Sequence, residues 1–463
     1  MNVALYRCAR WRTPWLLAGL GVGLLLSAPA AAQSLDETLA AAYSSNPTLR
    51  AARAQLRAVN EGVPQALSNW RPTVTVEGSA GRQRIESKGT VFSAQDSTTP
   101  LEATATVSQP LYRGGRTLAG TARAENDILA QRASLTSVEQ SILLRAATAY
   151  MDVWRDQAVL DLNINNERVL QRQLEASQDR FTVGELTRTD VAQSETRLAV
   201  ATADRIASEG SLSTSRAVFE EVVGIAPTLL QAPPPLVDLP GGLDETVNAA
   251  VTNNPDVLTA MFAEKAAQNR VREVVGELLP TVSISASARH TEETSQRGSE
   301  SDVAQILAEV SVPLYQQGSV SSRVREAKQI SNQRRLEIDE VRRRQEQEAV
   351  SAWRLLETAR AQTQSFEAGV RSAEIALEGV RQENSVGART VLDILDAEQE
   401  LLDSKVNLVR SQRDSVVTGF QVLAATGRLL ARDRGLQVDV YDPNVDYQKV
   451  RGRWFGLDAP GAE

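Results

Sequence analysis

Two aspartates three residues apart, Asp393 and Asp396, are the side chains of this sequence best placed to bind a ligand. On a helix, residues at i and i+3 share a face, so the two carboxylates repel each other at a local cost. A bound cation would offset that repulsion. Asp393 also has a structural explanation, because Thr390 precedes it by three residues in the pattern of a helix-capping box. Thr187 and Asp190 repeat this pattern, so capping and cation binding are both open for Asp393.

The residue types that most often support catalysis are nearly missing. The chain has one cysteine, Cys8, and one histidine, His290. A single histidine excludes a histidine zinc triad and a Cys–His catalytic pair. We find no cluster of carboxylates or Ser/Lys pairs typical of an active site. The sequence therefore predicts no enzyme, no cofactor and no resident metal, apart from a possible cation ring at the two aspartates.

Residues 1–32 are typical of a secretory signal peptide. Three arginines precede an apolar run over residues 16–26, and Ala30 and Ala32 then match a cleavage site. The run is far shorter than the ~20 residues of a membrane-spanning helix, so we predict a mature chain that starts near Gln33. The whole chain has a net charge of −8, and the three arginines leave −11 on residues 33–463. Such an acidic chain disfavours a nucleic-acid partner.

The sequence contains an internal repeat, which indicates two similar structural units. Leu35–Thr38 (LDET) recurs 208 residues later, and Pro110-Leu111-Tyr112 recurs 203 residues later. We predict a first repeat over residues 33–231, a second over 243–431, and a C-terminal tail over 432–463. A linker over residues 232–242 joins the repeats and is rich in proline.

Each repeat contains a pair of segments in which apolar and polar residues alternate. The pairs span about residues 73–108 and 281–312, with polar loops predicted over 84–100 and 290–301. Alternation of this kind fits a half-buried sheet or strands that face lipid on one side. Aromatic residues that would suit a membrane interface lie just outside the strand ends, at Trp70, Tyr112 and Tyr315. No mature segment has ~18 consecutive apolar residues, so only strands are expected to enter a membrane.

The segments after each strand pair predict unusually long helices. No proline occurs from Arg116 to about Arg180, nor from Val320 to about Asn384, and at ~1.5 Å per residue each helix would reach ~95 Å. The helices that follow carry apolar heptads typical of coiled-coil packing. A soluble periplasmic coiled-coil scaffold or adaptor would explain the helices, but it leaves the strands unexplained.

Strand number then limits the assembly. Four strands cannot close a barrel, and an open strand edge cannot face lipid. Two chains would give an eight-stranded barrel, and side chains would fill its interior. Three chains give twelve strands, so a homotrimer is the smallest assembly that we expect to conduct.

Two segments resemble the paired tip motifs of the TolC family. They are Arg180–Ala199 (RFTVGELTRTDVAQSETRLA) and Asn384–Lys405 (NSVGARTVLDILDAEQELLDSK). The resemblance covers nearly all of the chain after residue 32. It implies a trimeric 12-stranded β-barrel in outer-membrane lipid, continuous with a long periplasmic α-helical barrel. It further implies an exit duct for efflux or type I secretion, which docks to a periplasmic adaptor and to an inner-membrane pump or ABC transporter.

The resemblance also implies a gate at the periplasmic entrance. Asp393 and Asp396 match positions that ring the closed entrance, and three chains would bring six carboxylates around one axis. Asp396 has Gln193 as its counterpart, so the repeat does not require this acid. A latch between neighbouring helices would use Arg389, Thr189 and Asp190. Asn384 stands where that latch has a tyrosine, which implies a closed state held differently here.

The turns between the long helices are the predicted adaptor-docking tips, near residues 183–187 and 386–390. Their central residues are Val183, Gly184, Val386 and Gly387. A tight reversal of this kind usually needs a residue with positive φ, which glycine adopts without a side-chain penalty. The missing side chain also leaves backbone that a partner helix could approach. The alternative is that both glycines serve only the turn.

Overall fold

The computed structural model describes residues 33–88, 93–234, 236 and 238–459. The predicted signal peptide, residues 1–32, lies outside this range. Each repeat begins with short helices: α1 (Leu35–Ser45), α2 (Pro47–Asn60) and α3 (Gly62–Ser68) in the first, α6 (Leu243–Asn253) and α7 (Pro255–Val275) in the second. Both Asn-Pro pairs start a helix, since the asparagine accepts hydrogen bonds as the N-cap and proline occupies the first turn.

A four-stranded antiparallel sheet lies between these helices and the long ones. It consists of β1 (Thr73–Ala80), β4 (Leu101–Arg113), β5 (Thr281–Glu292) and β6 (Glu300–Ser311), in the order β1-β4-β5-β6. Both repeats therefore contribute one hairpin-like pair to a single sheet. Within the described residues, β1 and β6 are its edges and have no further strand partner.

The register gives the sheet one apolar and one polar face. An apolar row crosses all four strands and consists of Val74, Val107, Ala286 and Ile306. The neighbouring row is polar and consists of Thr75, Thr106, Ser287 and Gln305. Successive residues of a strand point to opposite faces, so the two rows lie on opposite sides of the sheet. The predicted alternation is confirmed, and both rows end at the open edges.

The prediction of a loop over residues 84–100 was wrong in part. That segment contains most of a separate hairpin, β2 (Gln83–Lys88) paired with β3 (Ser93–Thr98). The segments QRIESK and SAQDST are almost entirely polar, so they carry no apolar alternation that would mark a strand. Backbone pairing between two adjacent segments does not require a buried face, which is why the composition concealed this hairpin.

Two very long helices follow the sheet. The helices α4 (Arg116–Thr182) and α8 (Ser319–Ser385) have 67 residues each, which corresponds to ~100 Å. Each returns as a shorter helix, α5 (Arg188–Val223) or α9 (Val391–Ala425). Among the described residues, no helix is both long enough and apolar enough to cross a membrane.

The main hydrophobic core lies where α1, α4, α5 and α9 meet, far from both tips. Tyr150, Phe219 and Phe420 are its largest fully buried side chains. The Tyr150 hydroxyl lies 2.9 Å from the carbonyl of Gln33 and 2.7 Å from that of Gln231. One side chain thus fixes both ends of the first repeat to α4, and a smaller buried cluster of Leu170, Ala201, Val391 and Leu395 joins the helices nearer the tips.

Candidate functional site at the helical tips

The turn between α4 and α5 and the turn between α8 and α9 have the same backbone geometry. Gly184 has a φ of +84° and Gly387 a φ of +80°, which confirms the predicted positive φ. The amide of Gly184 bonds to the Phe181 carbonyl at 3.0 Å, and the amide of Glu185 bonds to the Arg180 carbonyl at 2.9 Å. This pair of bonds is a Schellman motif, which satisfies the last carbonyls of a helix.

The second turn repeats the motif residue by residue. The amide of Gly387 bonds to the Asn384 carbonyl, and the amide of Ala388 bonds to the Glu383 carbonyl, both at 2.9 Å. Open space surrounds the position that a Cβ would occupy at Gly184 and at Gly387 in the chain. Backbone conformation, rather than crowding within the chain, is therefore what requires glycine. Val183 and Val386 are exposed beside them.

Each outgoing helix starts with a complete capping box. The backbone amide of Thr187 donates to Asp190 Oδ2 at 2.9 Å, and the Asp190 amide donates to the Thr187 hydroxyl at 3.3 Å. Thr390 and Asp393 do the same at 2.8 and 3.3 Å. The capping role that the sequence left open is thus realised at both aspartates.

These hydrogen bonds also stabilise the charged form of the two aspartates. The threonine hydroxyl and backbone amide stabilise the carboxylate form, and they lower the pKa of Asp190 and of Asp393 below the usual value. Arg389 lowers the pKa of Asp393 further through its positive charge. Both carboxylates therefore keep their negative charge to a lower pH than an ordinary aspartate.

The second tip has an additional set of polar contacts around Arg389. Its guanidinium donates to Glu383 at 2.8 Å and lies 3.8 Å from Asp393. The Asn384 side chain donates to the Arg389 carbonyl at 2.8 Å, so the residue that replaces the expected tyrosine secures the same turn. In the part of the chain described here, both ion pairs of Arg389 lie within its own hairpin and neither reaches Thr189 or Asp190. Thr189 is exposed on the first turn of α5.

Asp396 makes no cap and instead joins the two hairpins. Its carboxylate lies 2.5 Å from the Arg197 guanidinium, which connects α9 to α5. Sequence reasoning missed Arg197. A signal was present, because the repeat places Glu400 opposite Arg197 and Gln193 opposite Asp396. Both members of the ion pair thus sit at positions where the repeats differ in charge.

A second connection between the α4–α5 hairpin and the α8–α9 hairpin lies near the middle of α4. Arg413 on α9 lies 2.9 Å from Asp152 on α4, and Arg155 lies 2.9 Å from the same carboxylate. Asp156 accepts from Arg155 at 2.8 Å. Hydrogen bonding to Asp156 and the nearby acids raise the pKa of Arg155 despite its burial. This half-buried network and the exposed pair at Asp396 both join the hairpins, and near the tips the buried side chains of Leu170, Ala201 and Leu395 add an apolar contact.

The three predicted interfacial aromatics, Trp70, Tyr112 and Tyr315, are exposed at the end of the sheet nearest the long helices. Gln109 fixes the first of them by donating to the Trp70 carbonyl at 2.8 Å. The prediction that Tyr112 lies outside the strand was wrong, because β4 extends to Arg113. Tyr112 follows a bulge in β4 and pairs with Val282 on the apolar face. Tyr112 therefore borders the apolar face, and Trp70 and Tyr315 lie at the same end of the sheet.

Comparison with known proteins gives consistent matches over most of the chain. A family described as outer membrane efflux protein matches residues 38–224 and 246–428. BepC, an outer membrane efflux protein of Brucella suis biovar 1, is 34% identical over 440 residues, which cover 95% of this chain and 95% of BepC. The outer membrane protein TolC of Escherichia coli K12 is 23% identical over 418 residues, covering 87% of this chain and 84% of TolC.

The fold has counterparts among solved structures. The outer membrane protein VceC of Vibrio cholerae superimposes with a TM-score of 0.73 at 18% identity. The match covers 85% of this chain and 96% of VceC. It includes the combination of a small sheet and very long helices, so the predicted TolC-like fold of the chain is confirmed.

Proposed function

The chain belongs to the outer membrane efflux protein family, and on that basis we propose how its parts form a passive export channel. It is an outer-membrane exit duct for efflux or type I secretion, with helices that extend into the periplasm. The observation that carries the proposal is the four-stranded sheet. One face is apolar, both edges are open, and the sheet continues directly into the long helices.

The open edges support a homotrimer. Unpaired strand edges are not tolerated in lipid, because each unsatisfied backbone group there costs several kcal/mol. Pairing β6 of one chain with β1 of the next would close twelve strands around three chains. The apolar row would then face lipid and the polar row the lumen. A soluble scaffold would leave both the edges and the apolar face uncovered.

The long helices of three chains would continue this barrel as a tunnel. The tips at Val183-Gly184 and Val386-Gly387 would present six similar turns to a ring-shaped periplasmic adaptor. The adaptor would connect the duct to an inner-membrane pump or ABC transporter, which supplies the energy and selects the cargo. The duct itself has no catalytic role and needs no cofactor in this proposal.

The gate would lie at the same tips. We assign Asp393 and Asp396 to a ring of carboxylates around the closed entrance, with Asp393 also capping α9. Arg389, Thr189 and Asp190 remain the proposed latch between neighbouring helices. The Arg197–Asp396 pair adds a contact within each chain that holds α9 against α5. Opening would separate α9 from its neighbours and expose these charges to passing solutes.

Planar-bilayer recording of the purified protein tests the proposal. We expect a homotrimer in mild detergent and pores that prefer cations, since residues 33–463 carry a net charge of −11. A duct lined by positive charges would prefer anions. A preference for cations would therefore show that ions pass through the acidic lumen and not through a nonspecific leak. A monomer that gives no conductance would overturn the channel assignment.

A further inference from the structure

The described part of the C-terminal tail, residues 432–459, runs along α4 toward the sheet. Helix α10 (Pro443–Arg451) begins near Arg132, whose guanidinium donates to Asn444 at 2.8 Å. At the other end of α10, Arg451 lies 3.4 Å from Glu125. Since α4 starts at the sheet, a contact at residue 125 is nearer the sheet than one at 132. The tail therefore runs antiparallel to α4.

The residues after α10 reach the end of the sheet itself. The Arg71 guanidinium donates to the Arg453 carbonyl at 2.8 Å and lies 4.7 Å from the centre of the Trp454 ring. Arg71 stands next to the interfacial Trp70 and just before β1. Such a cation–π contact fixes the Trp454 ring at the level of the sheet boundary.

An uncovered apolar segment follows at that level. The side chains of Trp454, Phe455 and Leu457 are 58%, 85% and 103% exposed. The two arginines of the tail that lie next to this segment are already paired, Arg451 with Glu125 and Arg453 with Asp458. Apolar contact, rather than charge, is what remains available to this segment.

We propose that Trp454, Phe455 and Leu457 insert into the phospholipid headgroup layer on the periplasmic side of the outer membrane and anchor the tail there. This inference rests on the proposed function, which puts the sheet in lipid. Tryptophan and other amphipathic or apolar side chains favour this interface. The segment would extend the aromatic border formed by Trp70, and it gives the tail a role that the channel itself does not require.

Site-directed spin labelling of the trimer tests the anchor. In a Cys8→Ser background the chain has no other cysteine, so single labels can be attached at Leu457→Cys, Val76→Cys and Ile375→Cys. Val76 lies on the apolar face of β1, and Ile375 is exposed on α8 deep in the periplasmic part. Each trimer is placed in nanodiscs of phosphatidylethanolamine and phosphatidylglycerol. Oxygen dissolves in the lipid, so relaxation of the spin label by oxygen shows that the label lies in lipid. A nickel chelate stays in water, so relaxation by the chelate shows that the label is exposed to solvent.

We expect the label at 457 to lose nickel relaxation relative to 375 and to gain oxygen relaxation, though less than the label at 76. Equal nickel relaxation at 457 and 375 would overturn the anchor. Protection from both reagents at 457 would also overturn it, because the segment would then lie against a neighbouring chain. A label at 76 that is not in lipid would instead overturn the proposed function, so the two failures can be told apart.

Discussion

The two helical tips share their backbone but not their charges. Both have a Schellman turn around a glycine and a Thr-x-x-Asp capping box, with nearly the same distances. Only the second has the Arg389 contacts and Asp396, whose position in the first repeat is Gln193. Features present in both repeats are those that the chain reversal needs. Features present in only one repeat are not needed for the chain reversal, so they are the better candidates for gating.

We expect the largest effect from replacing the glycine that both tips share. A Gly184→Trp, Gly387→Trp double variant would place two bulky side chains on the proposed docking surface of every chain. We expect export to fall to the background level while trimers reach the outer membrane in normal amount. Crosslinking to the adaptor and an export assay in the same cells would measure this.

Alanine is the matched control, because it has the same side-chain penalty at positive φ as tryptophan but adds little bulk. The Gly184→Ala, Gly387→Ala variant should retain most export. Normal crosslinking and export in the tryptophan variant would remove the turns from the docking surface. Each glycine could then be assigned to the turn alone.

A second prediction separates the tips by charge. Asp393→Ala with Asp396→Ala would remove the proposed carboxylate ring, so a multivalent cation such as hexamminecobalt(III) should block conductance at least about tenfold more weakly. Asp190→Ala with Gln193→Ala makes the equivalent change in the first repeat and should alter the block much less. Equal losses in both variants would assign these acids to capping or general solvation.

A third prediction concerns the contacts that close the second tip. An exposed ion pair contributes up to ~1 kcal/mol, so Arg197→Ala should raise resting conductance modestly by loosening α9 from α5. Asp396→Asn should have a similar effect, and the double variant should add little, because both act on one pair. Arg389→Ser should also raise conductance, through the latch. Additive effects of Arg197→Ala and Asp396→Asn would show that the two residues act separately.

Much of the fold could be predicted because it depends on strong local signals. The proline-free stretches predicted helices close to α4 and α8, and the alternation predicted the two faces of the sheet. The polar β2–β3 hairpin was missed because its side chains carry no such pattern. The path of the tail was also beyond prediction, since it depends on contacts between residues hundreds of positions apart, such as Arg132 with Asn444.

The site shows the same division. Sequence predicted the positive φ at both glycines and the capping boxes, because these are set by neighbouring residues. The partner of Asp396 could not be predicted in this way. Arg197 lies in the other repeat, and only the packing of α5 against α9 brings it within reach. The roles of Asp393 and Asp396 in gating stay predictions.

A fourth prediction asks whether the two caps are energetically alike. Thr187→Ala and Thr390→Ala each remove a side-chain acceptor from an exposed helix start, which typically costs about 1 kcal/mol of local stability. We expect similar increases in amide hydrogen exchange at the starts of α5 and α9. A much larger increase at α9 would mean that the Arg389 contacts depend on the cap, and the comparison between a shared fold and an unshared gate would need revision.

The smallest expected effect is the pH response of the same caps. Hydrogen bonds from threonine lower the pKa of Asp190 and Asp393 on folding below the ordinary value of 3.8. A carboxyl with a lowered pKa stabilises the folded form at pH above that ordinary value and loses this contribution as the pH falls through the folded value. Amide exchange at both tips, corrected for intrinsic rates, should therefore rise together on acidification below 3.8. A Thr390→Val variant should weaken this response at α9 and leave it unchanged at α5. If α9 kept its full response, the backbone amide of residue 390 and Arg389, rather than the threonine hydroxyl, would be the main sources of the lowered pKa at Asp393.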